Sequence, residues 1–330
     1  MRVGVIVTVY NLERFVAQAI TSVLNQTRPA DQIIVVNDGS TDNSLQVIEQ
    51  FLPHVQLITN STNQGVLPSV IEAIKLTKAD IIALLDGDDV WEADKLQIIC
   101  GQFEHHANAM MVLHTYQRMD ANGAVLAGRD VTQSNLQRIE ALKHKQDPDE
   151  LLKESILSYR GVWLGSALTF RRSYLAVAAF ESWSQQIWGH ELSHQDQPLA
   201  AYLILTNPEA KIQYVHQPLF RYRIFGENSS GSSATLPRAI KTLQRSKATL
   251  LRTHQLVTQM PSRVVSLARQ QQKLNEISYL EALYEKKFRV AFGLFTKLFF
   301  RFWTTQQKAK ETVRFAGVFL LGPEKFLSKK

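Results

Sequence analysis

Short apolar runs at residues 3–8, 33–36, 55–59 and 81–85 recur through the first hundred residues, with an amphipathic stretch after each of the first three. A chain that repeatedly returns to a buried strand and covers each return with a helix is building βαβ units, which close into a parallel α/β sheet. The intervening segments 13–25, 44–51 and 66–76 read as helices, the first with Phe15, Ile20 and Leu24 among its apolar positions. The run 81–85 is nearly all apolar, as expected of a strand covered on both faces. A polar cluster follows every run: Tyr10-Asn11, then Asp38-Gly39-Ser40-Thr41-Asp42, then residues 60–63, then Asp86-Gly87-Asp88-Asp89. Ligands of open α/β sheets bind outside the carboxyl ends of the strands, where these clusters fall.

The rest of the chain is less regular. Residues 120–160 are polar and weakly periodic, and carry no defined element. Periodicity returns between 163 and 225, with a strand expected at 166–170, a helix at 196–205 and extended segments at 212–215 and 219–223. Asn228-Ser229-Ser230-Gly231-Ser232-Ser233 reads as a loop, and from Pro237 the pattern is helical to the end. A chain of 330 residues, 45% apolar and 20% charged, can bury a full core and is not globally disordered. Its single cysteine, Cys100, excludes an intrachain disulfide and fits a reducing compartment. The opening run has neither the length nor the cleavage site of a signal peptide, and no stretch reaches the ~18 apolar residues of a spanning helix. A cytoplasmic protein is expected. The net charge of +7 is uneven: residues 285–330 carry +8 and the remainder −1. Basicity belongs to the tail, and no nucleic-acid partner is expected.

Three aspartates within four residues after a buried strand repel one another, and each raises its neighbours' pKa unless a cation is near. A divalent metal held by one or two carboxylates and completed by substrate phosphates relieves that repulsion. A solvated turn that caps the following helix is the plainer alternative. In the second cluster, Asp38 can accept from a base N–H or a ribose hydroxyl, while Asp42 or Thr41 reads as an N-cap. The glycine spacing is not G-x-G-x-x-G, so the dinucleotide fingerprint is absent.

Taken in order, Val7-Thr8-Val9-Tyr10-Asn11, Ile20 to Thr27, Ile34 to Asp42, Asn63-Gln64-Gly65 and Leu85-Asp86-Gly87-Asp88-Asp89 closely resemble family-two glycosyltransferases of the GT-A fold. The resemblance covers about residues 1–105 strongly and 160–233 more loosely. It implies a mostly parallel, Rossmann-like sheet flanked by helices, with a helical C-terminal extension. It also implies an inverting, nucleotide-sugar-dependent hexosyltransferase that uses a UDP- or dTDP-sugar and Mn²⁺ or Mg²⁺, with a glycan, lipid-linked or other cell-surface acceptor. The expected division is a catalytic domain over 1–235, made of a nucleotide-sugar-binding half (1–115) and an acceptor-side half (116–235), followed by a basic helical extension over 236–330. Residue by residue, Tyr10 would pack near the base and Asp38 hydrogen-bond it. Asp86 would approach the ribose, Asp88 would bind the metal, and Asn11 and Glu13 match positions near the donor. One departure stands out: Pro68-Ser69-Val70 replaces the family's small residue, Arg and Asn.

Inversion needs a carboxylate to take the acceptor hydroxyl's proton. Gln195-Asp196 stands where the family has a Glu-Asp pair, so the resemblance assigns the base to Asp196; an N-cap ahead of Pro198 is compatible with that role. Arg223, in Tyr222-Arg223, is a candidate for donor phosphate or acceptor contact, against a surface ion pair. His190-Glu191-Leu192-Ser193-His194 matches the zinc-protease H-E-x-x-H. Gly189 and Pro198 leave that helix short, and the metzincin continuation fails at Ala200, so the two histidines read as pocket-wall or acceptor-contact residues. The aromatic, cation-edged stretch 290–303 is either an interfacial membrane helix, which would put the protein on the cytoplasmic face of a membrane, or a helix packing on protein, including a second subunit. Rival readings are a sugar-phosphate nucleotidyltransferase, whose Gly-rich phosphate loop is missing after the first run, and a non-catalytic nucleotide-sugar-binding module on the same fold.

Overall fold

The computed structural model describes residues 1–128, 131–142, 147–161, 165–187, 196–226, 235–260 and 267–328. The His190–His194 motif, Gln195 and the 228–233 loop lie outside the described residues. Two compact units are present, Met1–Ile156 with Arg160–Ile224, and Leu157–Tyr159 with Phe225–Lys330.

The first unit opens with β1 (Val3–Val9), α1 (Val16–Leu24), β2 (Gln32–Asn37), α2 (Ser44–Glu49), β3 (Gln56–Thr59), α3 (Val66–Leu76) and β4 (Ile81–Asp86). The short β5 (Val90–Trp91), α4 (Lys95–His105), β6 (Ala109–Asp120), β7 (Val125–Leu126), α5 (Val131–Leu142) and α6 (Pro148–Leu157) follow. After a 3₁₀ turn at Gly165–Ala167 come β8 (Thr169–Arg171), a second 3₁₀ turn at Arg172–Tyr174, α7 (Val177–Ile187), α8 (Asp196–Thr206) and β9 (Lys211–Ile224). The sheet runs β3-β2-β1-β4-β8-β6-β9-β5, with β7 paired to β6. The first four strands are parallel, as the alternation of runs requires. β8 enters antiparallel between β4 and β6.

Burial follows the sequence periods. Every residue of β1 except Thr8 is buried, and β4 is buried from Ile81 to Leu85. On α1 the buried set includes Val16, Ala19, Ile20 and Val23, the i, i+3, i+4, i+7 stripe of a helix lying on a sheet. Each such aliphatic side chain contributes about 1.5–3 kcal/mol when fully buried.

Three stretches differ from expectation. The strand expected at 166–170 begins only at Thr169, because the preceding 3₁₀ turn points Ser166 at the loop after β4. The two segments at 212–215 and 219–223 are one fourteen-residue strand, whose ladder with β6 shifts register around Thr115, opposite Pro218. Proline has no N–H to donate, so regular pairing breaks there. β6 had no assigned element, and β7, α5 and α6 fill most of 120–160.

The second unit contains α9 (Leu236–Gln259), α10 (Leu267–Tyr284), α11 (Phe288–Arg301), α12 (Thr305–Leu321) and α13 (Pro323–Ser328). Tyr279, Leu283, Ala291, Leu298, Trp303 and Val318 are among its core residues, and Leu250, Leu274 and Ile277 form a second cluster. Within this unit the Gln270 side-chain amide donates to the Leu157 carbonyl at 2.8 Å. A capping box closes the start of α12, with Thr304 and Gln307 satisfying each other's amides. No described helix is long and apolar enough to cross a membrane.

Candidate active site

Register sets the site. Val9 lies opposite Asn37, and Thr8 opposite Asp86, so Tyr10, Asp38 and Gly87 leave the sheet at one edge. Tyr10 is 44% exposed there. Asn11 takes the left-handed conformation (φ 53°), which its short amide tolerates. Its Oδ1 accepts from the Thr41 amide at 2.8 Å, and its own amide donates to Ser40 Oγ at 3.0 Å. Glu13 Oε2 accepts from the Asn43 amide at 2.9 Å and side chain at 2.7 Å, while the Glu13 amide donates to Asp42 Oδ2 at 3.0 Å. Asn11 and Glu13 thus lace the loop after β1 to the loop after β2. Burial pushes the Asp42 carboxyl up, but hydrogen bonds from Ser44 and from the Glu13 and Ser44 amides carry it below its ordinary value. Asp42 Oδ1 accepts from the Ser44 amide at 2.9 Å, a cap-like contact one residue ahead of the formal cap, Asn43.

Asp38 is buried. Its Oδ1 accepts from Asn60 Nδ2 at 2.8 Å and the Gln64 amide at 2.9 Å, and its Oδ2 from the Gly65 amide at 2.9 Å. A carboxylate has about four acceptor positions, so one remains for a ligand donor. The loop at 60–65 reaches Asp38 because Gly39 has no side chain: with φ at 68°, a Cβ there would lie 2.3 Å from the Thr62 carbonyl carbon. Beside this loop is a cavity of about 470 Å³, lined by Asn60, Gln64, Pro68 and Ile71 on one side and by Ser184 and Gln185 of α7. At Pro68-Ser69-Val70, Ser69 is buried and accepts from Asn60 Nδ2 at 3.1 Å, while Val70 joins the core. An apolar side chain in that place makes no polar contact with a donor.

In the loop after β4 the three aspartates separate. Asp89 turns inward and is 1% exposed; it accepts from the Ser166 hydroxyl at 2.6 Å and the Arg223 amide at 3.0 Å. The same hydroxyl accepts from the Asp86 amide at 3.0 Å. Burial, and then the charges of Asp88 and Asp86, push the Asp89 carboxyl well above the ordinary range. Asp86 and Asp88 stay half-buried at the edge. Gly87 fits because its amide donates to the Thr8 carbonyl at 2.9 Å, and a Cβ would come as close to that oxygen. With Asp89 buried, the solvated-turn alternative does not describe this loop, and the N-cap position of α4 is Asp94, whose side chain makes no capping hydrogen bond.

Arg223 is 2% exposed, so the surface ion pair considered for it does not occur. Its guanidinium donates to the Asp88 carbonyl at 2.7 Å, the Ala121 carbonyl at 3.1 Å and the Gln18 side chain, and lies 4.7 Å from the Phe15 ring centroid. It grips the loop's backbone from beneath. Lys95, also fully buried, donates to the Ser166 carbonyl at 2.6 Å, and burial drives its pKa well down. Sequence reasoning missed Asp89, Ser166 and Lys95 as parts of this support. Only Asp89 had a signal, its place in the acidic run; Ser166 arrives on the 3₁₀ turn before β8 and Lys95 at the start of α4.

Asp196 is the first residue of α8; its Oδ1 accepts from the Gln197 amide at 2.8 Å, and burial raises its pKa to about 6.

Among the described residues no group of three or more His, Cys, Asp or Glu side chains is arranged to hold a metal. The carboxylates at the edge are Asp86 and Asp88, hard oxygen donors too few to complete a cation's shell. They fit Mg²⁺ or Mn²⁺, which bind through one or two carboxylates and substrate phosphates.

Comparison with known proteins follows the same outline. Residues 4–155 match the model of glycosyl transferase family 2. An uncharacterized glycosyltransferase of Nostoc sp. is 30% identical over 251 residues, covering 73% of this chain and 71% of the relative. The Escherichia coli UDP-Glc:alpha-D-GlcNAc-diphosphoundecaprenol beta-1,3-glucosyltransferase WfgD is 35% identical over 97 residues, which are 29% of this chain and 38% of that protein. Among solved structures, S. aureus TarS residues 1–349 in complex with UDP-GlcNAc superposes with a TM-score of 0.57 at 18% identity, covering 99% of this chain and 83% of that one.

Proposed function

Because this chain belongs to glycosyl transferase family 2, we propose that it is an inverting hexosyltransferase moving a sugar from a UDP- or dTDP-sugar to a glycan or lipid-linked acceptor. The observation that carries the reading is the shared sheet edge of Tyr10, Asp38 and the Asp86–Asp89 loop. Tyr10 offers an exposed ring for a base to stack on, and Asp38 keeps an acceptor position for a base N–H. Asp86 serves the ribose side. Asp88, with Asp86 beside it, would hold Mn²⁺ or Mg²⁺. Such a cation, when bound, supplies positive charge against the departing diphosphate.

The protein's own contribution is preorganisation. Asp89, Ser166, Lys95 and Arg223 fix the loop backbone, so Asp86 and Asp88 need no reordering when a donor arrives. Asn11 and Glu13 hold the neighbouring loops in register. Arg223 therefore acts as a positioning residue. Asp196 is the proton acceptor in this scheme, since a carboxyl with a pKa of about 6 is ionised at neutral pH yet more basic than an ordinary aspartate. WfgD, named for a lipid-diphosphate acceptor and a UDP-sugar, and TarS, solved with UDP-GlcNAc, support the donor and acceptor classes.

The test is turnover of a nucleotide-sugar panel with and without divalent metal, comparing the native protein with Asp88→Ala. Metal-dependent turnover that falls at least ~100-fold in the variant is expected. Unchanged turnover in Asp88→Ala would remove this site.

A further inference from the structure

The second unit exposes apolar side chains on two of its helices. On α11, Phe288, Ala291, Phe295 and Leu298 face the unit's own core, but Phe292 and Phe300 do not; Phe300 is 81% exposed. On α12, Val313 and Leu320 point outward, Leu320 at 77% exposure. The two helices meet through aromatic rings. Phe315 of α12 lies 6.0 Å from Phe292 and 6.4 Å from Phe319, centroid to centroid. Phe292 and Phe319 thus flank one partly buried ring and continue its apolar surface outward.

Charge selects what this surface meets. Interleaved with Phe292 and Phe300 on the exposed arc of α11 are Arg289, Lys297 and Arg301, and the helix holds no Asp or Glu. A second copy of the chain would bring one strongly basic segment against another, since residues 285–330 carry +8. A protein interface also depletes charge at its centre, whereas here cations sit among the aromatics. Aromatic side chains that enter the headgroup–acyl boundary, beside cations that reach lipid phosphates, match the pattern of an interfacial helix. None of the described helices can span a bilayer, so the contact is a surface one. We infer that the outward face of α11 and α12 docks on a membrane of anionic lipid, with Phe292, Phe300, Phe319 and Leu320 entering it and Arg289, Lys297 and Arg301 paired with its phosphates.

The experiment is co-sedimentation of the full chain with sucrose-loaded vesicles of phosphatidylcholine alone or mixed with phosphatidylglycerol. Binding to the anionic vesicles only is expected, weakening as salt rises. It should fall at least ~10-fold in Phe300→Ser/Leu320→Ser and in Arg289→Gln/Lys297→Gln/Arg301→Gln, positions exposed enough for the fold to persist. Circular dichroism and metal-dependent donor hydrolysis should be native in both variants, so loss of docking and loss of the proposed chemistry read out separately. Equal binding to both vesicle types, absence of binding, or native binding by the variants overturns the inference. So does a concentration-dependent dimer that the Phe300→Ser/Leu320→Ser variant dissolves without any vesicle binding by the native chain.

Discussion

Burying a carboxylate costs free energy unless donors converge on it, and Asp89 has the Ser166 hydroxyl and the Arg223 amide. Ser166→Ala removes one of these and also leaves the Asp86 amide without its acceptor. Urea unfolding should show a loss of about 1–3 kcal/mol, the usual penalty for stranding buried polar groups. Metal-dependent turnover should fall as well, because the loop that carries Asp86 and Asp88 loses its brace. A variant as stable as the native protein would show that the hydroxyl holds nothing. Asp196 tests a different quantity. Its carboxyl titrates near 6 in the folded chain against an ordinary 3.8, so folding favours its protonated form. The associated stability is fully present below pH 3.8 and is lost as pH rises through about 6. Relative to Asp196→Asn, the native protein should therefore lose about 1–3 kcal/mol between pH 4 and 7, discounted for partial exposure. The same variant should retain donor binding and lose transfer, and the native enzyme's activity should rise through pH 6. If stability relative to the asparagine variant is flat across that window, burial does not raise this carboxyl.

Loops rather than strands decide which of these groups meet, and Gly39 is where that dependence is sharpest. Alanine there would be strained at φ 68° and would drive a methyl into the backbone of residues 62–63. The 60–65 loop would have to withdraw its three donors from Asp38. Gly39→Ala should destabilise by about 2–4 kcal/mol, in the range of backbone-strain substitutions. Affinity for a UDP ligand, read by calorimetry, should weaken with it; native affinity in a folded Gly39→Ala protein would detach this loop from the donor site. The same contrast explains what was legible beforehand. β1, β2 and β4 were readable because strands covered on both faces have to be apolar throughout. The polar clusters after them then had one place to go. β6 begins apolar and turns mixed at Tyr116-Gln117-Arg118, so no single period marks it. β9 looked like two segments because Pro218 interrupts its ladder. The destination of Arg223 could not be read at all. It depends on β9 pairing in parallel with β6, about a hundred residues away in sequence, which brings the guanidinium under the Asp88 and Ala121 carbonyls. Local patterns fix which face of an element is buried, whereas contacts between distant elements fix which polar group satisfies which.

At the level of the whole chain, two compact units of very different charge share one polypeptide. The sheet unit buries strands and helices alike, β4 from Ile81 to Leu85 and α8 from Gln197 to Ile204 among them. The helical unit leaves Phe300, Val313 and Leu320 largely uncovered. Compact units of one chain need not unfold together, and the smaller should show the lower midpoint and the shallower denaturant dependence. The sequence supplies a reporter, since Trp303 is the one tryptophan beyond residue 225 and lies in the helical core beside Tyr279 and Phe295. Subtracting the fluorescence of Trp303→Phe from that of the native protein isolates the helical unit. Its transition in urea should precede the one followed by the remaining tryptophans, with far-UV circular dichroism showing both steps. Should all three signals coincide at one midpoint with one slope, the chain folds as a single cooperative body. In that event a substitution on α11 or α12 would reach the donor site through global stability.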